Sequence, residues 1–456
     1  MKKLIMVWAI ASMVIAITTA TGKTAGNGGL AGQVAAAPDA AAAAAFSESV
    51  LWNFGATSDD GANPGSALIA DNQGNLYGTT SFGGTNNFGT VFELSPPSGQ
   101  QKLWSERVLW SFGATADDGG VPAAALIADQ QGNFYGTTAE GGGRTCDPSR
   151  VGCGTVFELS PPSGQQTQWT ERVLWSFGAI GDGWNPEAAL IADSKGNLYG
   201  TTYVGGANCQ PTPPLNDSGC GIVFELSPPS GQQTQWNETV LRSFGAGADG
   251  SFPRDPLIAD NQGNLYGTTQ SGGANKAGTA FELSPPSGQQ TQWSETVLWS
   301  FSEGAGGAAP AAGLIADQQG NFYGTNQFNG GKENAGTAFE LSPPSGEQTQ
   351  WSETVLWTFG AKGSGGSPTG LIADEEGNFY GSTVFGGVKK DGVAFELSPP
   401  SGKHTQWSLH VLQSFGAKSA GEHPSSLIAD QQGNLYGTTF EGGTKNDGLV
   451  FELRKR

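Results

Sequence analysis

The side chains able to do chemistry in this 456-residue chain are few, and most recur in register. Seven aspartates follow the segment Leu-Ile-Ala, from Asp71 to Asp430, and seven glutamates sit in Phe-Glu-Leu, from Glu93 to Glu452. Paired carboxylates are the equipment of glycoside hydrolysis. A residue present in every copy of a repeat answers a need of every copy, however, and an active centre needs asymmetry. The aspartates therefore read as caps of tight turns and the glutamates as strand partners. One certain carboxylate per turn is short of the six or more oxygens that calcium wants. The three histidines, His404, His410 and His423, show no metal-binding spacing. No catalytic residue, metal or cofactor is expected.

Asymmetric features are rarer. The four cysteines form two close pairs, Cys146/Cys153 and Cys209/Cys220. In an oxidising compartment these predict two local disulfides, each contributing roughly 2–3 kcal/mol for loops this short. A four-cysteine zinc site is the alternative, against which stands the lack of two C-x-x-C pairs. Asp-Gly recurs at Asp60, Asp118, Asp182 and Asp249, in the first four copies of one loop. Trp184 and Phe252 stand in that loop in the third and fourth copies. Aromatic plates beside carboxylates suit a sugar, by stacking and by hydrogen bonds to hydroxyls. The candidate ligand-binding residues are therefore Asp118, Asp182, Trp184, Asp249 and Phe252.

The elements that must position them are read from the repeat. Val-Leu-Trp-Ser-Phe-Gly-like segments place a phenylalanine at Phe54, Phe112, Phe177, Phe244, Phe301, Phe359 and Phe415. Each copy predicts four strands. In the first copy these are Leu68–Asp71, Leu76–Thr80, Thr90–Leu94 and Arg107–Phe112, with glycine-bearing and Pro-Pro-Ser-Gly turns between them. A four-stranded unit that is apolar on both faces cannot bury itself alone, and radial repetition solves this. The first strand, Val50–Phe54, matches a fourth strand, and the last, Leu449–Leu453, matches a third. The strand inventory balances if they pair. The expectation is an all-β, seven-bladed β-propeller with four-stranded blades, closed by the N-terminal strand on the last blade.

Composition agrees with this fold. Glycine numbers 72, too many for a helical protein, and 13 tryptophans supply apolar bulk. The formal net charge of −19 argues against nucleic acid or anionic membrane as a partner. Residues 1–20 carry Lys2, Lys3 and an apolar run, and read as a signal peptide or a membrane anchor. Residues 21–46 read as a Gly/Ala-rich tether, 47–453 as the propeller and 454–456 as a basic tail.

The stretch LIADQQGNLYGTTFEGGTKNDGLVFEL and its six relatives resemble the Gloeobacter–Verrucomicrobia type tandem repeat of choice-of-anchor bacterial surface proteins. The same D-x-x-G-N-[LF]-Y-G core is similar to repeats in extracellular sensor propellers. The resemblance implies a bacterial, exported propeller, extracellular, periplasmic or at the cell surface, and brings no catalytic residues. The expected function is a monomeric, non-catalytic binding module for a glycan or another surface ligand. A structural cell-surface repeat without a small-molecule site, and a polysaccharide lyase or hydrolase, are the alternatives.

Overall fold

The computed structural model describes residues 46–146, 151–208, 220–330, 333–361, 363–402, 405–416 and 421–456. The expected signal peptide or anchor and nearly all of the tether lie outside them. The described residues form strands and turns without a helix, arranged as a seven-bladed β-propeller. Blade 1 pairs Ile69–Ala70, Leu76–Thr80, Thr90–Ser95 and Ser105–Ser111 in that order, all antiparallel. The N-terminal strand Phe46–Asn53 pairs antiparallel with the last strand, Leu449–Lys455, as the fourth strand of blade 7. Both are longer than their sequence patterns alone predict.

The first strand of most blades is shorter than expected. In blade 1 only Ile69 and Ala70 pair regularly, because the chain turns at once into the hairpin. Asp71 drives that turn. Its Oδ1 accepts from the backbone N–H of Gln73 and Asn75 (2.8 and 2.9 Å), its Oδ2 from Asn75 Nδ2 and the Tyr77 hydroxyl (2.7 and 3.1 Å). Every repeat uses its aspartate this way, with Asp430 as the last. The carboxylate oxygens are filled by donors, which is the chemistry of a turn cap and not of an ion ligand.

Beyond each short first strand the hairpin resumes. Gly61–Ala62 pairs Phe82–Gly83 in blade 1, and Gly183–Trp184 pairs Val204–Gly205 in blade 3. This pairing puts the loop from the fourth to the first strand beside the loop from the second to the third, on one face. At the centre, successive blades touch where their first strands begin. A Cβ on Gly370 would meet Ala312 of blade 5 on one side and Ser426 of blade 7 on the other. Hydroxyls tie the ring here, with Thr79 donating to the Ala124 carbonyl (3.1 Å), Thr137 to Ala188 (3.1 Å) and Thr438 to Ser66 (3.2 Å).

The core is divided among the seams. Seven apolar clusters each combine residues of two neighbouring blades. One motif repeats in each: the loop phenylalanine leans on the phenylalanine of the next blade's third strand. Phe54–Phe92 (5.0 Å), Phe244–Phe281 (5.1 Å) and Phe415–Phe451 (4.9 Å) are three of the seven. The phenylalanine in turn requires the glycine opposite. A Cβ at Gly78 would lie 2.7 Å from the Phe92 ring, and at Gly200 2.7 Å from Phe224.

Candidate functional site

The loop that carries the asymmetric residues has a fixed frame. The residue before its proline is left-handed in all seven copies: Asn63, Val121, Asn185, Phe252, Ala309, Ser367 and His423, with φ of 56–62°. Its N–H donates to a carbonyl of the preceding blade's loop, as Asn185 does to Cys153 (2.8 Å) and Phe252 to Cys220 (2.7 Å). Asparagine tolerates this conformation, whereas a bulky phenylalanine is strained in it. Because it recurs in all seven copies, this conformation belongs to the frame of the loop.

The structure turns the Asp-Gly carboxylates inward. Asp118 is buried, its Oδ2 accepting from Ala114 N–H (3.0 Å) and its Oδ1 from Gly119 N–H (2.8 Å). Asp182 accepts from Gly178, Ala179 and Gly183 in the same manner. They close the loop and face the seams between blades, where each meets the glutamate of the next fourth strand. Burial, with the nearby Asp118 charge, pushes the Glu171 carboxyl up to about 8, and Glu106 beside Asp60 also to about 8. Burial also raises Asp118 and Asp182. A buried glutamate beside another carboxylate keeps its proton, because desolvation and the neighbouring negative charge both oppose ionisation. At Asp249 the repeat solves the problem differently. Arg242 stands where five of the other copies have tryptophan and one has Gln413, and it bridges Asp249 (2.6 Å) and Glu295 (2.5 Å).

Trp184 is likewise buried, 8% exposed, its edge against Gly205 and its ring in the seam between blades 2 and 3. Phe252 remains at the surface, half-buried. Its ring lies 5.2 Å from that of Tyr203, and both pack onto the same cluster as Trp184. Around this aromatic pair the fold gathers residues that sequence comparison did not single out. The Arg254 guanidinium sits over the Tyr203 ring, 5.8 Å from its centroid, and pairs with Glu187 (3.1 Å). Asn185 Nδ2 holds the other side of Glu187 (2.9 Å). The Tyr203 hydroxyl donates to Gln270 (3.2 Å). Behind Arg254, burial pushes the Asp255 carboxyl up to about 7 although Arg254 opposes this, and the Thr268 hydroxyl donates to it (3.0 Å).

These residues occupy the mouth where blades 3 and 4 converge. Positions matching Glu187 and Arg254 hold Gly65, Ala123 and Ala311 in other copies, and positions matching Asp255 hold Ser66, Ala124, Ala188 and Ala312. The arrangement offers a partly exposed aromatic edge, a guanidinium, a carboxylate and an amide within one patch, the groups a polar ring-shaped ligand needs. The signal was present in the sequence, as three charges in positions otherwise small.

Cys146 and Cys153 form a disulfide, with Sγ atoms 2.07 Å apart. Cys209 of the second expected pair, Cys209–Cys220, lies outside the described residues, as does His404. His410 lies on the fourth strand of blade 6, opposite Glu396. His423 stacks edge-on with Phe385 (5.5 Å). No helix among the described residues is long and apolar enough to cross a membrane.

No curated protein sequence matches the chain. Among solved structures it is similar to a gluconolactonase from Xanthomonas campestris, at 13% identity over 66% of this chain and 79% of that one, with a TM-score of 0.35. It is also similar to a luciferin-regenerating enzyme, at 12% identity over 86% and 92%, with a TM-score of 0.36. Neither likeness carries an argument about the site. The description of one repeat family, the Gloeobacter/Verrucomicrobia repeat, matches residues 15–234 and again 143–360. Those overlapping matches span more than half of the sequence, and the chain belongs to the Gloeobacter/Verrucomicrobia repeat family.

Proposed function

We propose that this chain is an exported, non-catalytic binding propeller that takes a glycan at the mouth of blades 3 and 4. One observation carries the reading: Glu187, Tyr203, Phe252, Arg254 and Gln270 come together at that mouth, Glu187 and Arg254 at a position where the other copies hold small residues. The ligand role thereby moves from the three aspartates, whose carboxylates serve their own loops, to this aromatic and charged patch. Export is supported by the Cys146–Cys153 disulfide, a bond that persists in oxidising compartments.

A glycan array probed with the wild-type chain, Tyr203→Ala and Arg254→Ala tests this. Wild type is expected to bind a defined subset of sugars, and each substitution to weaken that binding about tenfold or more, in line with losing a stacking or charged contact of 1–3 kcal/mol. Binding to no sugar, or binding indifferent to both substitutions, removes the reading and leaves a structural surface repeat. Trp184→Ala is the poorer probe, since it empties a buried seam. Cleavage products from a polysaccharide panel, lost on Asp255→Asn, would carry the enzyme reading instead, because a carboxyl titrating near neutrality suits proton transfer.

A further inference from the structure

We propose that a second site, a groove on the outer rim between blades 2 and 3, binds a short acidic saccharide through Arg144 and Arg172. Arg144 and Arg172 line one cavity of about 490 Å³ there, together with Trp175, Trp236, Thr234 and Gln235. That volume is in the range of small-ligand sites. The site shares no residue with the mouth and does not depend on it.

Among the described residues neither arginine is in an ion pair, although most of the arginines are. The chain holds 41 acidic residues against 22 basic ones. Arg107 pairs with Glu93 (2.8 Å), Arg242 with Asp249 and Glu295, Arg254 with Glu187, and Arg454 with Glu452 (3.0 Å). Arg144 and Arg172 have no ion pair among the described residues. Glu158 stands directly across the strand from Arg172, yet it accepts from the Ser160 hydroxyl (3.4 Å). The repeat does not require this arrangement either. Blade 1 holds Arg107 at the position of Arg172, paired with Glu93, and the next three blades hold Thr239, Thr296 and Thr354.

Arg144 reaches the groove because its loop is stapled. It precedes Cys146 by two residues, and the Cys146–Cys153 disulfide rests on Gly178, where a Cβ would lie 2.4 Å from Cys153 Sγ. Gly178 directly follows the strand that carries Arg172, so the staple fixes one arginine beside the other's strand. Two guanidiniums can hold carboxylates in a forked, charge-assisted geometry. The half-buried indoles of Trp175 and Trp236 offer apolar surface to a sugar ring, and Thr234 and Gln235 can meet its hydroxyls. A net charge of −19 repels long polyanions, so the local positive groove suits a short segment.

Titration calorimetry on the purified chain, with oligogalacturonate, oligomannuronate and oligoguluronate against their carboxyl-reduced counterparts, tests the proposal. At least one acidic oligosaccharide is expected to bind, its reduced counterpart at least tenfold more weakly. Arg144→Ala/Arg172→Ala should abolish binding, and Arg172→Ala alone should weaken it at least tenfold, with unchanged thermal unfolding because both side chains are exposed. Tyr203→Ala should leave it intact. Failure of all three acidic probes, equal binding of a reduced counterpart, or indifference to the arginine substitutions overturns it. Equal binding of a short single-stranded DNA also overturns it, by showing attraction to any polyanion. Loss on Tyr203→Ala but not on the arginine substitutions would assign the ligand to the mouth and leave only that reading standing.

Discussion

At the scale of single residues, the loop before each proline shows how one backbone demand is met by different side chains. The left-handed residue is asparagine in two copies but valine at Val121, with φ of 56°. A β-branched side chain in that region is strained by roughly 1–2 kcal/mol. Val121 has no evident compensation: its N–H donates to the Phe88 carbonyl (2.8 Å), a bond any residue would make. Val121→Asn is therefore expected to stabilise the protein by about 1 kcal/mol, seen as a raised midpoint in chemical denaturation. Unchanged or lowered stability would show that the valine side chain earns its place by packing. Phe252 carries the same strain, beside Tyr203 and Arg254. Sequence reasoning reached Phe252 and Trp184 because they are unique to single copies. It reached Asp118, Asp182 and Asp249 for a weaker reason, since Asp-Gly recurs in four copies and a recurring residue serves the frame. Glu187, Tyr203 and Arg254 met the stricter standard, but only the fold brings them within contact of one another.

At the scale of the blade seam, buried carboxyls make stability depend on pH. Glu106 and Glu171 hold their protons to about pH 8 in the folded protein, against an ordinary value of 4.5 in the unfolded chain. Between those limits the folded state binds more protons than the unfolded one. Stability is therefore full below about pH 4.5 on this account and falls as pH rises to 8, by about 1.4 kcal/mol per pH unit for each such proton. Glu353, pushed up to about 7 by burial, adds to the same trend. Thermal unfolding at pH 5 and pH 8 should show the higher midpoint at pH 5, and Glu106→Gln with Glu171→Gln should flatten the difference. Equal midpoints at both pH values in wild type would refute proton retention by the buried seam glutamates. The seam between blades 3 and 4 is expected to contribute in the same sense but less than those of Glu106 and Glu171, because burial still pushes Glu295 up to about 7 although Arg242 opposes it. None of this was legible in sequence. The glutamate and aspartate of a pair lie far apart along the chain, on different strands, and only the radial packing of blades makes them neighbours.

At the scale of the whole molecule, the closure of the ring is the feature most open to test. The seven copies and the unmatched strands at the two ends were visible in the repeat, because each copy carries its own hairpin signals and the count balances only on closure. The structure adds the pairing of Phe46–Asn53 with Leu449–Lys455 and a seam between blades 7 and 1 built like the others. Phe54 is fully buried in that seam against Phe92, as Phe244 is against Phe281 across the ring. In an open array the terminal unit has one neighbour and frays alone. In a closed ring every blade has two neighbours, and no seam is terminal. Phe54→Ala and Phe244→Ala should then each lower the stability of one cooperative transition by about 3–5 kcal/mol, the usual cost of truncating a buried phenylalanine. Hydrogen exchange in the two variants should rise across all blades together. Exchange confined to Phe46–Asn53 and Leu449–Lys455 in Phe54→Ala, with the remaining blades as protected as in wild type, would show that the ends meet without locking the ring.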